Sequence, residues 1–339
     1  MDPKIYHDFL ASPGNIEIYA KKGKFDWIVI DEIQMVPELL NTVHRLIENE
    51  HYKFILTGSS ARKLRRRGVN LLGGRALPYY MYPLTALELG ADFDLEKALL
   101  FGSLPSIFSA DDPKKYLFSY IKTYLYEEVE QEGMTRNLSN FARFLETASF
   151  SQGSVLNVSE VAREAMVERK VVENYFTILD DLLVATQIPV FTKKAKRKMI
   201  THNKFYFFDA GIYRAIRPMG PFDDVNGVSG IALETLFLQN IRAINDYFDL
   251  KYKIYYYRTI LGVEVDFILY GEKGLLAFEI KGSNRFSRSD LRGLKAFLAD
   301  YPIAKGYLIY GGNQKMYFGN IEVWPAAEAL KKLPEILQS

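Results

Sequence analysis

The sequence reads WIVIDE at residues 27–32 and FILTGSS at residues 54–60, and these two segments determine the fold that we predict. Each is a short apolar run that ends in polar side chains, as a buried strand does at the edge of a parallel sheet. The segment between them, residues 37–49, has the pattern and length of one crossover helix. We therefore predict two parallel strands that bring Asp31 and Glu32 beside small hydroxyl side chains, at the edge where α/β sheets bind ligands.

Two adjacent carboxylates after such a strand are typical of the Walker B element of P-loop ATPases. In that interpretation Asp31 holds Mg²⁺ and Glu32 polarises the attacking water. The alternative is a strand that simply ends in polar surface residues. Ser59, after the second strand, is the candidate sensor that orients the water. Arg75 follows a pair of glycines and is either a phosphate-sensing arginine or half of a structural ion pair.

Residues 157–208 show the element order of a winged helix. A short helix with Ser159 as its predicted N-cap precedes a longer helix at 169–184, and two strands follow at 186–191 and 204–208. The turn between the strands is rich in cations: Lys193, Lys194, Lys196, Arg197 and Lys198. We expect this turn to contact DNA phosphates. The alternative is a solvated hairpin end in a domain used for protein contacts, since acidic residues on the longer helix would repel a duplex.

A third group of residues has the D…ExK spacing of restriction-endonuclease-like folds. Asp266 lies on one predicted hairpin strand, and Glu279 and Lys281 share one face of the next. The two carboxylates are candidate Mg²⁺ ligands, and Lys281 would orient water at the scissile phosphate. Glu234, in the preceding helix, is a further candidate acid. The alternative is a binding or structural role, with Asp266 paired to Lys281.

The quoted segments carry a resemblance that covers nearly the whole chain. DEIQMVPELLNTVHRLIE from residue 31, KFILTGSSARKLRRRGVNLLGGRA from residue 53 and MYPLTALEL from residue 81 resemble a prokaryotic family of AAA+-type ATPases. The C-terminal domain of that family, of unknown function, is similar to PD-(D/E)xK nucleases. The resemblance implies Mg²⁺ as a cofactor, ATP as a ligand when the phosphate loop is present, DNA as a partner, and oligomerisation.

The same resemblance places a Walker A loop before residue 31. The motif G-x-x-x-x-G-K-[ST] does not occur in the sequence. A strand, a phosphate loop and its helix need about 50 residues, whereas 30 residues precede Asp31. We therefore expect an N-terminally truncated chain.

Composition limits the class of protein. The 339 residues are 48% hydrophobic and 25% charged, which excludes a disordered or fibrous chain. The net charge of +2 means that nucleic acid would have to be bound by local patches. With no cysteine, no secretory pattern at the N-terminus and no apolar run long enough for a bilayer, we expect a cytoplasmic protein that does not contact membranes.

Together these features predict an α/β multidomain protein. We expect a partial P-loop (AAA+-type) core at 1–82, a helical lid at 83–150, a winged helix at 151–220 and a nuclease-like α/β domain at 225–339. The function expected is that of an ATPase-inactive AAA+-type protein associated with nucleic acid. A metal-dependent DNA nuclease and a non-catalytic interaction protein are the alternatives.

We expect the chain as given to bind ATP weakly and not to hydrolyse it, because Asp31 and Glu32 are present without the loop that grips the phosphates. Calorimetric titration with MgATP measures this. Micromolar binding that Asp31→Ala abolishes would contradict the expectation.

Overall fold

The computed structural model describes residues 3–23, 25–58, 72, 75–131, 137–193, 195–221 and 223–338. Over these residues the chain is an α/β protein with several sheets and many helices, as the sequence predicts. It divides into two compact units, Met1–Tyr79 with Leu179–Val184, and Tyr80–Ile178 with Ala185–Ser339. Among the described helices, none has the length and apolar content needed to cross a bilayer.

The first unit contains the predicted strand, helix and strand. Its elements are α1 (Pro3–Ala11), α2 (Asn15–Lys21), β1 (Ile28–Ile30), α3 (Leu39–Glu50) and β2 (Phe54–Leu56). β1 and β2 pair in parallel, with Ile28 opposite Phe54 and Ile30 opposite Leu56. The predicted parallel pair with one crossover helix is therefore confirmed.

The two strands partly bury one face. Val43 and Leu46 of α3 lie in an apolar cluster with Ile28 and other strand residues that face α3. On the opposite face Val29 is 62% exposed and Ile55 is 47% exposed. Because each strand has three residues, the pair shares one short ladder, and much of its apolar surface stays in water.

The second unit begins with a helical region. Its helices are α4 (Ala86–Leu89), α5 (Leu95–Phe101), α6 (Pro113–Ser119), α7 (Tyr126–Gln131) and α8 (Leu138–Ser149). Side-chain oxygens of Thr85, Asp94, Asp112 and Asn137 accept hydrogen bonds from backbone N–H groups in the first turns of α4, α5, α6 and α8. These caps satisfy amide groups that have no partner within the helix, and they explain where these four helices begin.

A three-stranded antiparallel sheet follows. The elements are β3 (Ser154–Val155), α9 (Val158–Glu164), α10 (Arg169–Asp181), β4 (Ala185–Ile188) and β5 (Lys204–Phe207), with strand order β3-β5-β4. The N-cap of α9 is Asn157, whose side-chain oxygen accepts from the Glu160 N–H at 3.3 Å. The prediction of Ser159 as the cap is wrong, because Ser159 already lies inside the helix.

A six-stranded mixed sheet forms the C-terminal part. Helix α11 (Ala210–Ile216) comes first and packs on the helical region of this unit. The helices that follow it are α12 (Val225–Tyr247), α13 (Arg292–Asp300), α14 (Ala326–Lys331) and α15 (Leu333–Gln338). Its strands are β6 (Lys253–Arg258), β7 (Glu264–Gly271), β8 (Gly274–Lys281), β9 (Lys305–Tyr310), β10 (Met316–Phe318) and β11 (Ile321–Pro325), in the order β10-β11-β9-β8-β7-β6.

Helices cover both faces of this sheet at its centre. Phe278 of β8 contacts Phe237 of α12, with ring centroids 5.5 Å apart. Its neighbour Ala277 is buried in one cluster with Leu294 and Phe297 of α13. Since successive residues of a strand point to opposite faces, α12 and α13 lie on opposite sides of the sheet.

The edge strand β6 is covered by the segment that precedes β5. The Phe191 N–H donates to the Tyr256 carbonyl at 2.7 Å, and the Ile200 N–H donates to the Arg258 carbonyl at 3.3 Å. The cation-rich turn at residues 192–203, which we call the basic turn, therefore runs beside the sheet. Pairing of this kind protects an edge that would otherwise present free backbone groups.

We predict that amide hydrogens of β1 and β2 exchange faster than those of β7 and β8, because the first pair is short and exposed on one face while the second pair is central and covered on both. Hydrogen–deuterium exchange followed by mass spectrometry compares the two pairs in one sample. Slower exchange in β1 and β2 would contradict this description of the first unit.

Candidate functional site

The carboxyl ends of β1 and β2 bring a carboxylate and a hydroxyl together. The Thr57 hydroxyl donates to the Asp31 carboxylate, and the Glu32 N–H donates to the same Thr57 oxygen at 3.4 Å. Glu32 itself has φ of 56°, so the chain turns sharply directly after the strand. The hydroxyl in contact with the acidic pair is thus that of Thr57, the first of the hydroxyl residues at the end of β2. Ser59 lies outside the described residues.

Arg75 forms an ion pair in the first unit. Its guanidinium contacts the carboxylate of Glu48 on α3 and holds the pKa of that carboxyl below its usual range. This contact corresponds to the structural alternative considered for Arg75. The two glycines before it lie outside the described residues.

Four carboxylates gather at the end of the six-stranded sheet, and we call Glu234, Glu264, Asp266 and Glu279 the acidic cluster. The register pairs Phe267 with Phe278, which brings Asp266 next to Glu279 across β7 and β8. The Asp266 carboxylate accepts a hydrogen bond from the Ile280 N–H at 2.9 Å. The structure therefore brings the D…ExK residues to one place.

Close packing places Glu234 at the same point. A Cβ atom on Gly282, just after β8, would lie 2.7 Å from the Cα of Gly230 in α12. The helix and the strand end can approach this closely because both residues lack side chains. Glu234 follows one turn later, and its carboxylate accepts a hydrogen bond from the Tyr206 hydroxyl at 3.0 Å.

A buried lysine that sequence reasoning did not select lies inside the acidic cluster. The Lys204 side chain is 2% exposed, and its Nζ lies 2.5 Å from Glu264 Oε1 and 3.2 Å from Asp266 Oδ1. Lys281 instead pairs with Glu279 at 2.8 Å. The suggested Asp266–Lys281 pair is therefore replaced by two pairs, each with its own lysine.

The electrostatics of the cluster follow from burial and crowding. Burial, and then the neighbouring Asp266 carboxylate, raise the pKa of Glu234 to about 8. The same two causes raise the pKa of Glu279 well above its usual range, although Lys281 opposes them. Burial alone would lower the pKa of Lys204, but the anionic groups around it raise that pKa well above its usual value. Lys204 is therefore a charged ammonium.

The carboxylate oxygens of the acidic cluster suit a hard divalent cation, although Lys204 already contacts one of them. Among the described residues, no three His, Asp or Glu side chains are placed around a single point as metal ligands. Carboxylate oxygens are nevertheless the ligands that Mg²⁺ takes, and Glu279 Oε2 is buried with no hydrogen-bond partner in the described residues. Asp266 has both oxygens engaged, one with Lys204 and one with the Ile280 N–H.

The basic turn is partly neutralised where it runs beside β6. Arg197 makes two contacts with the Asp300 carboxylate, at 2.6 and 3.2 Å. The Lys193 ammonium lies 4.6 Å from the centre of the Tyr270 ring. Lys196 and Lys198 are exposed, and Lys194 lies outside the described residues. Five cations of the basic turn were predicted to contact DNA. Among the described residues, Lys196 and Lys198 are the two for which the structure shows neither an ion pair nor a ring contact.

Lys204, Tyr206 and Glu264 are the cluster residues that the sequence did not reveal. Lys204 follows the cation-rich turn directly, so the sequence alone does not distinguish it from the exposed lysines of that turn. A signal was present in KFYFF at residues 204–208, where a lysine opens an apolar strand whose four residues are all buried. A charged group in such a strand needs a buried partner of opposite charge, and the sequence offers acids in EVD at 264–266.

Three segments of the chain match family models. Residues 4–90 match an AAA domain, residues 92–223 match a domain of unknown function (DUF8612), and residues 229–329 match another (DUF4143). The first and the last of these matches support an AAA-type, ATP-binding kind of protein. No solved structure matches the chain.

Two curated relatives are similar at low identity. An uncharacterized protein of Haemophilus influenzae is 22% identical over 206 residues, which are 56% of this chain and 52% of the relative. The uncharacterized protein MJ1544 of Methanocaldococcus jannaschii is 24% identical over 288 residues, 76% of this chain and 62% of the relative. The aligned part of the chain thus spans between half and two thirds of each relative.

Glu234 makes the free energy of unfolding depend on pH. Its pKa of about 8 in the folded protein exceeds the value of 4.5 expected when it is exposed. Between about pH 5 and pH 8 the folded state therefore keeps a proton that the unfolded state has released, so the stability contributed by this group falls as pH rises. We predict that the free energy of unfolding of Glu234→Gln, measured relative to that of the parent protein, rises by up to about 1 kcal/mol per pH unit across this window.

Urea titrations at pH 5 and pH 8, in metal-free buffer, measure this difference. Glu335→Gln is the control, because it removes one carboxyl from α15 where the side chain is 73% exposed. A difference between Glu234→Gln and the parent protein that does not change with pH would contradict the assignment.

Proposed function

We propose that this chain is an AAA-type, ATP-binding-family protein that acts on nucleic acid and holds a divalent cation in the acidic cluster. The observation that carries the proposal is the buried Oε2 of Glu279 beside Asp266, which has no hydrogen-bond partner among the residues that the structure describes. Four carboxylates meet there with three cations, Lys204, Lys281 and Arg258. The raised pKa values of Glu234 and Glu279 keep protons on both carboxyl groups near neutral pH, and a divalent cation bound to their oxygens would displace those protons.

The chemistry proposed is phosphodiester hydrolysis. Glu279 and Asp266 would hold the cation, with Glu234 as a further oxygen donor. When bound, a divalent cation polarises a phosphate oxygen and makes a bound water more acidic. Lys281 is 35% exposed, so its ammonium can reach a phosphate at the surface while staying paired to Glu279. This role agrees with the D…ExK spacing.

A nucleic-acid partner is supported by the elements around the cluster. We propose that α9, α10 and the β4–β5 hairpin form a winged helix, and that the sheet with α12 is a restriction-endonuclease-like domain. Lys196 and Lys198 are exposed on the basic turn and could contact phosphates. Arg197 serves a structural role, because its charge is matched by Asp300.

The first unit would supply the nucleotide-dependent part. We propose that Asp31 and Glu32 face the Mg²⁺ of a bound nucleotide, with Thr57 in the position of the polar sensor. The contact of the Thr57 hydroxyl with Asp31 supports this arrangement. The absence of ATP hydrolysis expected from the sequence stays a prediction.

A non-catalytic interaction protein is the second candidate. Lys204 and Arg258 together neutralise Asp266 and Glu264 without metal, and Asp300 neutralises part of the basic turn. In this case the acidic cluster would serve to join the two sheets of the second unit. The two candidates differ in whether Glu279 binds a metal ion.

We predict that Glu279→Gln weakens Mn²⁺ binding by roughly tenfold or more and abolishes Mn²⁺-dependent cleavage of DNA. Glu279 is suited to this test because its substitution leaves the partners of Lys204 intact. The control is Glu322→Gln on β11, since Glu322 is also a strand glutamate paired with a lysine, Lys315, at 3.2 Å. Calorimetry measures binding, and gel electrophoresis of single- and double-stranded DNA measures cleavage.

Loss of binding and of cleavage in Glu279→Gln, with both retained in Glu322→Gln, is the result expected. Cleavage that survives in Glu279→Gln would place the activity elsewhere. A parent protein that binds Mn²⁺ but leaves DNA intact would overturn the nuclease chemistry, and a parent protein that does neither would favour the non-catalytic candidate.

A further inference from the structure

Lys204 lies where a cation is needed, although it belongs to a different sheet from the carboxylates. It opens β5 of the three-stranded sheet, whereas Glu264 and Asp266 lie two residues apart on β7 of the six-stranded sheet. Nζ contacts both carboxylates, at 2.5 and 3.2 Å. Its side chain is almost fully buried, so these contacts replace the water that a lysine ammonium normally keeps.

The contact with Asp266 uses the oxygen that a metal ion would need. Asp266 Oδ2 accepts from the Ile280 N–H, and Oδ1 is the atom in contact with Lys204. A divalent cation that takes Oδ1 of Asp266 as a ligand would compete with the Lys204 ammonium for the same oxygen. The lysine has four rotatable side-chain bonds, so its ammonium is the partner of Asp266 that can move away.

We propose that Lys204 is the resident cation of the acidic cluster: it holds Glu264 and Asp266 together without metal and competes with a divalent cation for Asp266. This inference rests on the proposed function in taking the cluster as a cation site. Lys204 then sets how tightly metal is bound, and metal loading requires its ammonium to leave Asp266. Two cations cannot share one carboxylate oxygen at contact distance without strong repulsion.

A competitor and a purely structural lysine make different predictions for Lys204→Met, which keeps most of the stem and removes the charge. A competitor predicts that Mn²⁺ binds roughly tenfold or more tightly than in the parent protein. Lys281→Met is the matched control, because it removes one positive charge from the same cluster without touching Asp266. The gain in Lys204→Met must exceed the gain in Lys281→Met, since both share the general electrostatic effect.

Lys204→Met is also expected to melt at a lower temperature in metal-free buffer and to recover on addition of Mn²⁺. If it does not fold, the double variant Lys204→Met with Glu264→Gln keeps the net charge of the parent protein and removes the carboxylate left without its lysine. This variant has one carboxylate fewer, so tighter Mn²⁺ binding by it can come only from the loss of the competitor. Calorimetric titration with MnCl₂ and thermal melts serve all variants.

The outcomes separate this inference from the proposed function. Tighter Mn²⁺ binding in Lys204→Met than in Lys281→Met supports it, whether or not the parent protein cleaves DNA. Suppose that the parent protein binds Mn²⁺ and Glu279→Gln does not, but that Lys204→Met binds Mn²⁺ no more tightly than the control. The metal site is then supported, and the proposed competition by Lys204 is wrong. If neither the parent protein nor any Lys204 variant binds Mn²⁺, both are overturned.

Discussion

The second unit depends on the ammonium of Lys204, held between Glu264 and Asp266. A buried lysine is stable as a cation when carboxylates replace its water, and crowded carboxylates are stable when a cation lies between them. The two carboxylates therefore explain why Lys204 can be buried, and Lys204 explains why the two carboxylates can lie so close together. Because Lys204 comes from one sheet and the carboxylates from another, the same contact joins the three-stranded sheet to the six-stranded sheet.

The rest of the cluster follows from this attachment. Tyr206 lies two residues after Lys204 on β5, on the same face, and its hydroxyl reaches Glu234 of α12. The close approach of Gly230 and Gly282 fixes α12 against the end of β8. Glu279 is left with a buried oxygen that none of the described groups satisfies. The acidic cluster thus contains both the ion pairs that join the two sheets and the oxygen proposed to bind a cation.

The features that could be predicted from the sequence are those that depend on residues close together in the chain. Short-range periodicity gave the parallel pair β1 and β2, and the spacing of Asp266, Glu279 and Lys281 predicted their convergence. Pairings between distant segments have no such signal. The basic turn was expected to be a hairpin tip, yet it lies beside β6, which follows it by more than fifty residues. Lys204 was missed for the same reason, since its partners are about sixty residues away.

A double-mutant cycle between Lys204 and Asp266 measures how strongly this contact stabilises the second unit. The free energies of unfolding of the parent protein, Lys204→Met, Asp266→Asn and the double variant are measured with urea in metal-free buffer. We predict that each single substitution is destabilising and that the double variant loses less stability than the sum of the two single losses, with a coupling energy of about 1–3 kcal/mol. Losses that add to within about 0.5 kcal/mol would contradict it.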